Sequence, residues 1–306
     1  MRPLRGIILK LCAVANFIVM ASLIKSVSDH VPAGQSVFFR SFFAIPIILA
    51  WLAWQHKLKT GLRAKSPWSH FRRGVSGTLA MGCGFAGLAF LPLPEVTAIG
   101  YAAPLLTVVF AALILHEQIR AFRITSVLIG LTGVLIVIAP RLSIETIESD
   151  PLASFGALVV LFGAVFTALA QISIRAMINT ETTSAIVFYF SVTAAVLSLL
   201  TLPFGWVWPS PGTAAILVCA GLIGGVGQIF LTSCYREADA SVVAPFDYAS
   251  ILFAIAIGYW IFDETPTLSM LVGASIVVFA GILIIWRERQ LGLERTRPRK
   301  AMTPQG

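Results

Sequence analysis

Charged residues are scarce in this chain. Asp, Glu, Lys and Arg make up 12% of its 306 residues, whereas hydrophobic residues make up 58%. A soluble domain carries roughly 25% charged residues. A protein core surrounded by water could not bury this much apolar surface, so lipid must be the solvent for most of the chain. The shortage of charge therefore argues against a soluble fold.

Residues that build metal and catalytic centres are also few. The cysteines lie inside apolar stretches without metal-ligand spacing, and the histidines lie at span ends or in loops with none grouped. No Walker A motif is present to cradle a nucleotide phosphate. We therefore expect no metal, no cofactor and no enzyme, and these counts disfavour the alternative of a lipid-modifying transferase. The residues concerned are Cys12, Cys83, Cys219, Cys234, His30, His56, His70 and His116.

The apolar runs are long and continuous. They indicate helices, because an outer-membrane barrel is built from alternating strands of roughly 10 residues. A spanning helix needs roughly 20 apolar residues, so the chain has room for about ten spans and no sizeable soluble domain. We expect an all-α integral membrane protein with transmembrane helices at 8–26, 35–54, 74–91, 95–115, 124–140, 153–174, 184–202, 212–234, 242–261 and 267–286.

The charges between these spans predict an orientation. If the N-terminus is cytoplasmic, all of the 22 Lys and Arg residues fall on that side except Lys25, Arg40 and Arg141. The acidic segment 144–150 then falls outside, as the positive-inside rule favours. Both termini are therefore expected in the cytoplasm. The basic tail 289–306 is explained by this orientation and by anionic lipid headgroups, so we expect the lipid bilayer, and no nucleic acid, as its partner.

An internal repeat divides the chain. Tyr101 precedes Glu117 by the same spacing that separates Tyr248 from Glu264, and each interval is an apolar helix. We expect two repeats, 6–140 and 153–288, with five helices each. An odd number of spans inserts the second repeat upside down relative to the first. Inverted repeats are typical of secondary transporters, whose binding site lies near the membrane midplane between the repeats.

These halves resemble the drug/metabolite transporter superfamily with its paired EamA-type repeats. The string 241–248, SVVAPFDY, looks like a subgroup of proteobacterial carriers that includes riboflavin transporters and S-adenosylmethionine uptake carriers. The segments 1–6 and 94–101 favour the riboflavin members. The resemblance implies a multi-pass carrier of the bacterial inner membrane that takes up riboflavin. S-adenosylmethionine uptake and efflux of amino acids, drugs or metabolites are the alternatives, and a homodimer is left open.

Three charged residues inside or at the edge of spans are candidates for substrate binding. Ionisable side chains in lipid are costly, so each needs an explanation. Arg40 could bind an anionic or carbonyl-bearing substrate through its planar fork, or it could pair with Glu95. Asp247 follows Pro245 by two residues and could couple protons or bind a polar ligand. The alternative for Asp247 and Glu95 is a capping or interfacial role.

Four uncharged polar residues complete the candidate site. Tyr101, Gln171, Tyr189 and Tyr248 could offer stacking faces and an amide to a flat aromatic substrate such as a flavin. The alternative is that such side chains only bridge helices by hydrogen bonds. Outside this group, we expect Lys25 and its repeat counterpart Arg175 to snorkel to the two membrane interfaces.

Overall fold

The computed structural model describes residues 3–115, 121–177, 180–237 and 243–296, and these residues form an all-helical structure. Short 3-10 helices lie at Ala139–Leu142, Leu199–Thr201 and Ala244–Tyr248. The α-helices are α1 (Pro3–Lys25), α2 (Ala33–Trp54), α3 (Leu58–Gly61), α4 (Pro67–Phe90), α5 (Leu93–Gly100), α6 (Ala102–Leu115), α7 (Ala121–Ile138), α8 (Ile144–Ser149), α9 (Pro151–Met177), α10 (Thr183–Ser198), α11 (Pro211–Glu237), α12 (Ala249–Phe262) and α13 (Leu268–Thr296).

Eight helical segments in the described part of the chain are long and apolar enough to cross a membrane, fewer than the ten expected. The expected span 74–91 corresponds to α4, which has 24 residues, but its glycines and Arg73 make it less apolar. The expected span 242–261 corresponds to a shorter apolar stretch, Phe246–Phe262. The two remaining predicted helices are therefore present as helices but differ from the other spans in polarity or length.

Two of the expected spans are broken rather than continuous. The span expected at 95–115 is divided into α5 and α6 around Tyr101. Pro104 has no N–H to bond the carbonyl of Gly100, which explains why the helix is interrupted there. In the second half, the 3-10 turn Ala244–Tyr248 precedes α12 and has a proline in its first two positions. Both breaks therefore fall at the tyrosines that mark the repeat.

Polar side chains define several helix starts. Thr182 accepts the N–H of Ala185 at the start of α10, and Asp150 accepts that of Ala153 at the start of α9. Such caps satisfy N–H groups that lack a partner within the helix. These two hydrogen bonds therefore fix where α10 and α9 begin.

Helices of the two halves pack in mixed pairs. The most extensive contacts join α1 to α11, α4 to α9 and α7 to α13, so each pair takes one helix from each half. Between α7 and α13 the backbones nearly touch: a Cβ on Gly133 would lie 2.7 Å from the Gly273 carbonyl oxygen. Glycine permits this close packing because it has no side chain. The halves therefore share one interior.

Candidate functional site

Tyr101 and Tyr248 lie at the breaks of the two interrupted helices and contact each other. Their rings pack edge to face with 5.1 Å between centroids, and both side chains are buried. The Tyr101 hydroxyl lies 2.5 Å from Ser250 Oγ and accepts the N–H of Ile251 at 3.1 Å. The Tyr101 hydroxyl thus binds the first turn of α12. The two tyrosines that mark the repeat are therefore in direct contact, and that they bind substrate stays a prediction.

Asp247 lies next to this junction and pairs with a lysine of α1. Its carboxylate oxygen lies 2.7 Å from Lys10 Nζ, and the Lys10 side chain is 2% exposed. The charge pattern assigned Lys10 to the cytoplasmic flank of the first span. Because α1 begins at Pro3, Lys10 instead lies two turns inside the helix. This ion pair, the Lys10–Asp247 pair, joins α1 to the start of the second broken helix.

The pair of Arg40 with Glu95, weighed as an alternative from the sequence, does not form. Glu95 instead accepts two hydrogen bonds from Arg141, from Nη2 at 2.8 Å and from Nε at 2.9 Å. The packing explains the difference, because α5, which carries Glu95, contacts α7, and Arg141 lies in the 3-10 turn that follows α7. Glu95 is therefore engaged by a bidentate arginine at the end of the α7 segment.

Lys25 does not snorkel to a membrane surface, contrary to the sequence expectation. Its ammonium lies 2.9 Å from Glu264 and donates to the carbonyls of Leu88 and Leu91 at 3.2 and 2.8 Å. Glu264 also accepts the N–H of Leu93 at 2.9 Å. These contacts, which we term the Lys25–Glu264 clasp, join the ends of α1 and α4 and the start of α5 to the segment after α12.

The backbone after α12 positions Glu264 for this clasp. Asp263 adopts a left-handed conformation with φ 53°, and the Glu264 N–H bonds back to the Gly258 carbonyl at 2.9 Å. This geometry is a common way to end a helix. Side chains of Lys25 and Glu264 are each 14% exposed, so the clasp is largely shielded from solvent.

Arg40 lies in a different place, beside a second arginine. Its side chain is 3% exposed, and its guanidinium carbon lies 5.6 Å from the centre of the Phe190 ring. The guanidinium carbon of Arg73 lies 4.4 Å from the same ring centre. The Nε and Nη1 atoms of both arginines lack a hydrogen-bond partner within the described part of the chain. We refer to Arg40, Arg73 and Phe190 as the arginine cluster.

Sequence reasoning missed Arg73, which the charge pattern assigned to a cytoplasmic loop. The residue directly precedes the glycine-rich run that begins at Gly74, and α4 starts earlier, at Pro67. Its position at the border of a span was the available signal. The structure therefore moves one of the presumed orienting charges into the helical bundle.

Tyr189 lies near a buried carboxylate at the start of α4. Glu181 accepts the N–H groups of Lys65 and Ser66 at 2.9 and 2.7 Å. His70 Nε2 lies 3.3 Å from Glu181 Oε2, within ion-pair distance but with poor hydrogen-bond geometry. Burial raises the pKa of Glu181, but the two backbone donors and His70 outweigh it and hold the pKa below its ordinary value. The Tyr189 ring lies 4.8 Å from that of His70, and its hydroxyl donates to the Leu62 carbonyl.

The predicted substrate residues therefore do not converge on one point. Tyr101, Tyr248 and Asp247 lie together, whereas Arg40, Glu95 and Tyr189 lie in three other groups. Gln171 is exposed on α9. Glu117 and the side chain of Arg175 lie outside the described residues. In the described part of the chain, no three His, Cys, Asp or Glu residues are grouped so that they could hold a metal ion.

Comparison with known proteins gives a consistent result. Residues 4–139 and 154–287 each match the model of the EamA-like transporter family. The chain is 31% identical to the pseudopaline exporter CntI of Pseudomonas aeruginosa strain UCBPP-PA14, over 91% of this chain and 95% of that protein. It is 26% identical to the S-adenosylmethionine uptake transporter of Rickettsia prowazekii, over 87% of each chain.

A crystal structure shares the fold at low sequence identity. The two chains superpose with a TM-score of 0.66 at 18% identity, over 95% of this chain and 99% of the other. The helical arrangement is therefore one that a solved protein also adopts along nearly its whole length.

Proposed function

The chain belongs to the EamA-like transporter family, and we propose that it is a secondary transporter that moves a small metabolite across the bacterial inner membrane by alternating access. The proposal includes ten spans, with α4 and Phe246–Phe262 completing the eight long ones. It also includes two inverted five-helix repeats and cytoplasmic termini. Under this orientation, Lys25 and Glu264 lie on the periplasmic side and Lys10 and Asp247 towards the cytoplasm.

The observation that carries the proposal is the way α1 is held at two distant points, Lys10 and Lys25. The Lys10–Asp247 pair and the Lys25–Glu264 clasp each join α1 to the second half of the chain. The two lysines are 15 positions apart, roughly 22 Å along a helix. Ion pairs at opposite ends suit a carrier in which the halves rock about a central site, because opening either side requires one pair to separate.

Two substrates follow from different observations. Riboflavin uptake follows from the resemblance of segments 1–6 and 94–101 to riboflavin carriers. S-adenosylmethionine uptake is supported by relatives of that name at 26–27% identity. Export is the opposite direction and is also to be tested, because a relative at 31% identity is named an exporter.

A transport assay tests the proposal. The purified protein is reconstituted into liposomes, and labelled riboflavin, S-adenosylmethionine and amino acids are followed by counterflow, with protein-free liposomes as the control. Expression in a riboflavin auxotroph without its own importer tests riboflavin uptake in cells. We expect counterflow of at least one compound. A correctly folded, reconstituted protein that exchanges none of them would contradict the proposed function.

A further inference from the structure

We propose that Arg40 and Arg73 form a binding site for an anionic group, a carboxylate or a phosphate, carried by the transported metabolite. This inference rests on the transport function proposed above and specifies its substrate class. It assigns a role to Arg73, and it favours a substrate with an ionised oxygen group over neutral riboflavin.

The charge around the two arginines is unbalanced. A buried cation is costly unless it is paired, and two neighbouring cations also repel each other. Within the described residues, no carboxylate forms an ion pair with Arg40 or Arg73. The ion pairs between described residues are Arg5–Glu237, Lys10–Asp247, Lys25–Glu264, His70–Glu181 and Arg141–Glu95. The missing negative charge therefore points to a ligand.

The free hydrogen-bond donors of the two arginines lie close enough for one ligand to reach both. Since their guanidinium carbons lie 5.6 and 4.4 Å from one ring centre, they are at most about 10 Å apart. Nε and Nη1 of each guanidinium are without a partner among the described residues. Carboxylates and phosphates match the planar fork of arginine and accept several hydrogen bonds at once.

Glycines leave room for the two guanidiniums. A Cβ on Gly77 would overlap Arg73 Nη1 and would lie 2.7 Å from the Phe190 ring. On α11, a Cβ on Gly224 would lie 3.4 Å from Arg40 Nε. The guanidinium nitrogens of the arginine cluster are thus buried beside an aromatic ring and closely packed helices, and the exclusion of water lowers the local dielectric and strengthens attraction to an anion.

The test uses two matched pairs of compounds that differ by one anionic group. S-adenosylmethionine is compared with its decarboxylated form, and flavin mononucleotide with riboflavin, in thermal unfolding of the full-length protein in maltoside micelles. Sodium acetate and sodium phosphate are compared with chloride at equal ionic strength. We expect at least one carboxylate or phosphate probe to raise the unfolding temperature by about 5 °C, whereas the matched compound without the anionic group, or chloride, does not.

Variants locate the effect. Arg40→Gln and Arg73→Gln should each abolish the anion-dependent rise, whereas Arg72→Gln, on the exposed neighbour, should retain it. Arg40→Lys keeps the charge without the fork and should retain a weaker response. The proposal is overturned if no carboxylate or phosphate raises the unfolding temperature of the unaltered protein more than chloride does. It is also overturned if Arg40→Gln and Arg73→Gln show the same anion-dependent rise as the unaltered protein.

Stability without ligand separates a binding role from a structural one. An uncompensated buried cation should not stabilise the empty protein, so Arg40→Gln should unfold at the same or a higher temperature. A lower unfolding temperature with the anion response intact would overturn the proposal. Counterflow reports separately on transport: binding without exchange contradicts the proposed function but not the site, whereas exchange undiminished in both variants contradicts the site.

Discussion

Removing the charge of Glu264 should open the end of the bundle that the Lys25–Glu264 clasp closes. In Glu264→Gln, the amide oxygen can still accept the N–H of Leu93, but Lys25 loses its counter-charge. Breaking a buried ion pair by removing one partner costs roughly 3–5 kcal/mol. Because each side chain is 14% exposed, we use the lower end, about 3 kcal/mol.

This energy acts on the equilibrium between closed and open states. In the open state the ammonium of Lys25 meets water, so the cost is felt chiefly by the closed state. A change of about 3 kcal/mol shifts such an equilibrium roughly 150-fold. A protein closed about 99% of the time at this end would then be open in a substantial fraction of molecules.

Distances between two spin labels, measured by electron paramagnetic resonance, report this shift. Spin labels at Ser26 and Thr265, two exposed positions beside the clasp, are introduced after the four native cysteines are replaced by serine. We expect one short distance in the parent protein and an added longer distance in Glu264→Gln. The exposed carboxylate Glu148 provides a matched control, Glu148→Gln. An unchanged distribution in folded Glu264→Gln would refute the reasoning.

Three further predictions concern the other polar contacts. The pKa of Glu181 is lower in the folded than in the unfolded protein, so on acidification the unfolded chain binds a proton at Glu181 first. The ionised carboxylate therefore stabilises the fold at neutral pH, and this contribution is lost as the pH falls below the ordinary pKa of a glutamate. Glu181→Gln should therefore lower the unfolding temperature at pH 7 and flatten the fall in unfolding temperature on acidification, as measured by thermal unfolding. Arg141→Lys should lose one of the two bonds to Glu95 and cost about 1 kcal/mol in denaturant unfolding, and an equal loss in Arg72→Lys would show that the fork is irrelevant. Tyr101→Phe removes the hydroxyl that accepts from α12, at a cost of about 1–2 kcal/mol. Amide hydrogen exchange should become faster at Ile251, and an unchanged rate there would count against the contact.

Sequence reasoning was most successful where the signal is local. Apolar runs predicted the eight long helical segments. The matching spacings from Tyr101 to Glu117 and from Tyr248 to Glu264 marked the repeat, but both intervals were expected to lie in continuous spans, and the spacing did not predict the breaks beside the two tyrosines. Hydropathy also predicted spans at 74–91 and 242–261, but the helices found there are less apolar or shorter than the other eight. In α4 an arginine and glycines dilute the apolar signal, and Phe246–Phe262 is short.

Partner choice among the charged residues was the main failure. From the sequence, only Arg40 was weighed as a partner for Glu95, although Arg141 lies on the same side of the predicted layout. The packing of α5 against α7 brings Glu95 to Arg141 instead. Lys10 and Arg73 were counted as flanking charges because hydropathy windows begin spans too late. These pairings depend on which helices pack against each other, and a single sequence does not show which helices do.

The edge-to-face contact of Tyr101 and Tyr248 makes the two repeats chemically unequal. Matching residues of twofold-related halves can touch each other only at the axis, and there identical halves would have to present identical ring surfaces. An edge-to-face pair cannot satisfy that condition, since one ring gives its edge and the other its face. The sequence carries the same inequality: Ser250, which contacts the Tyr101 hydroxyl, is matched by Ala103 in the first half. Two separate copies of one repeat could not build this centre, so joining unlike halves in a single chain is what allows each tyrosine its own role.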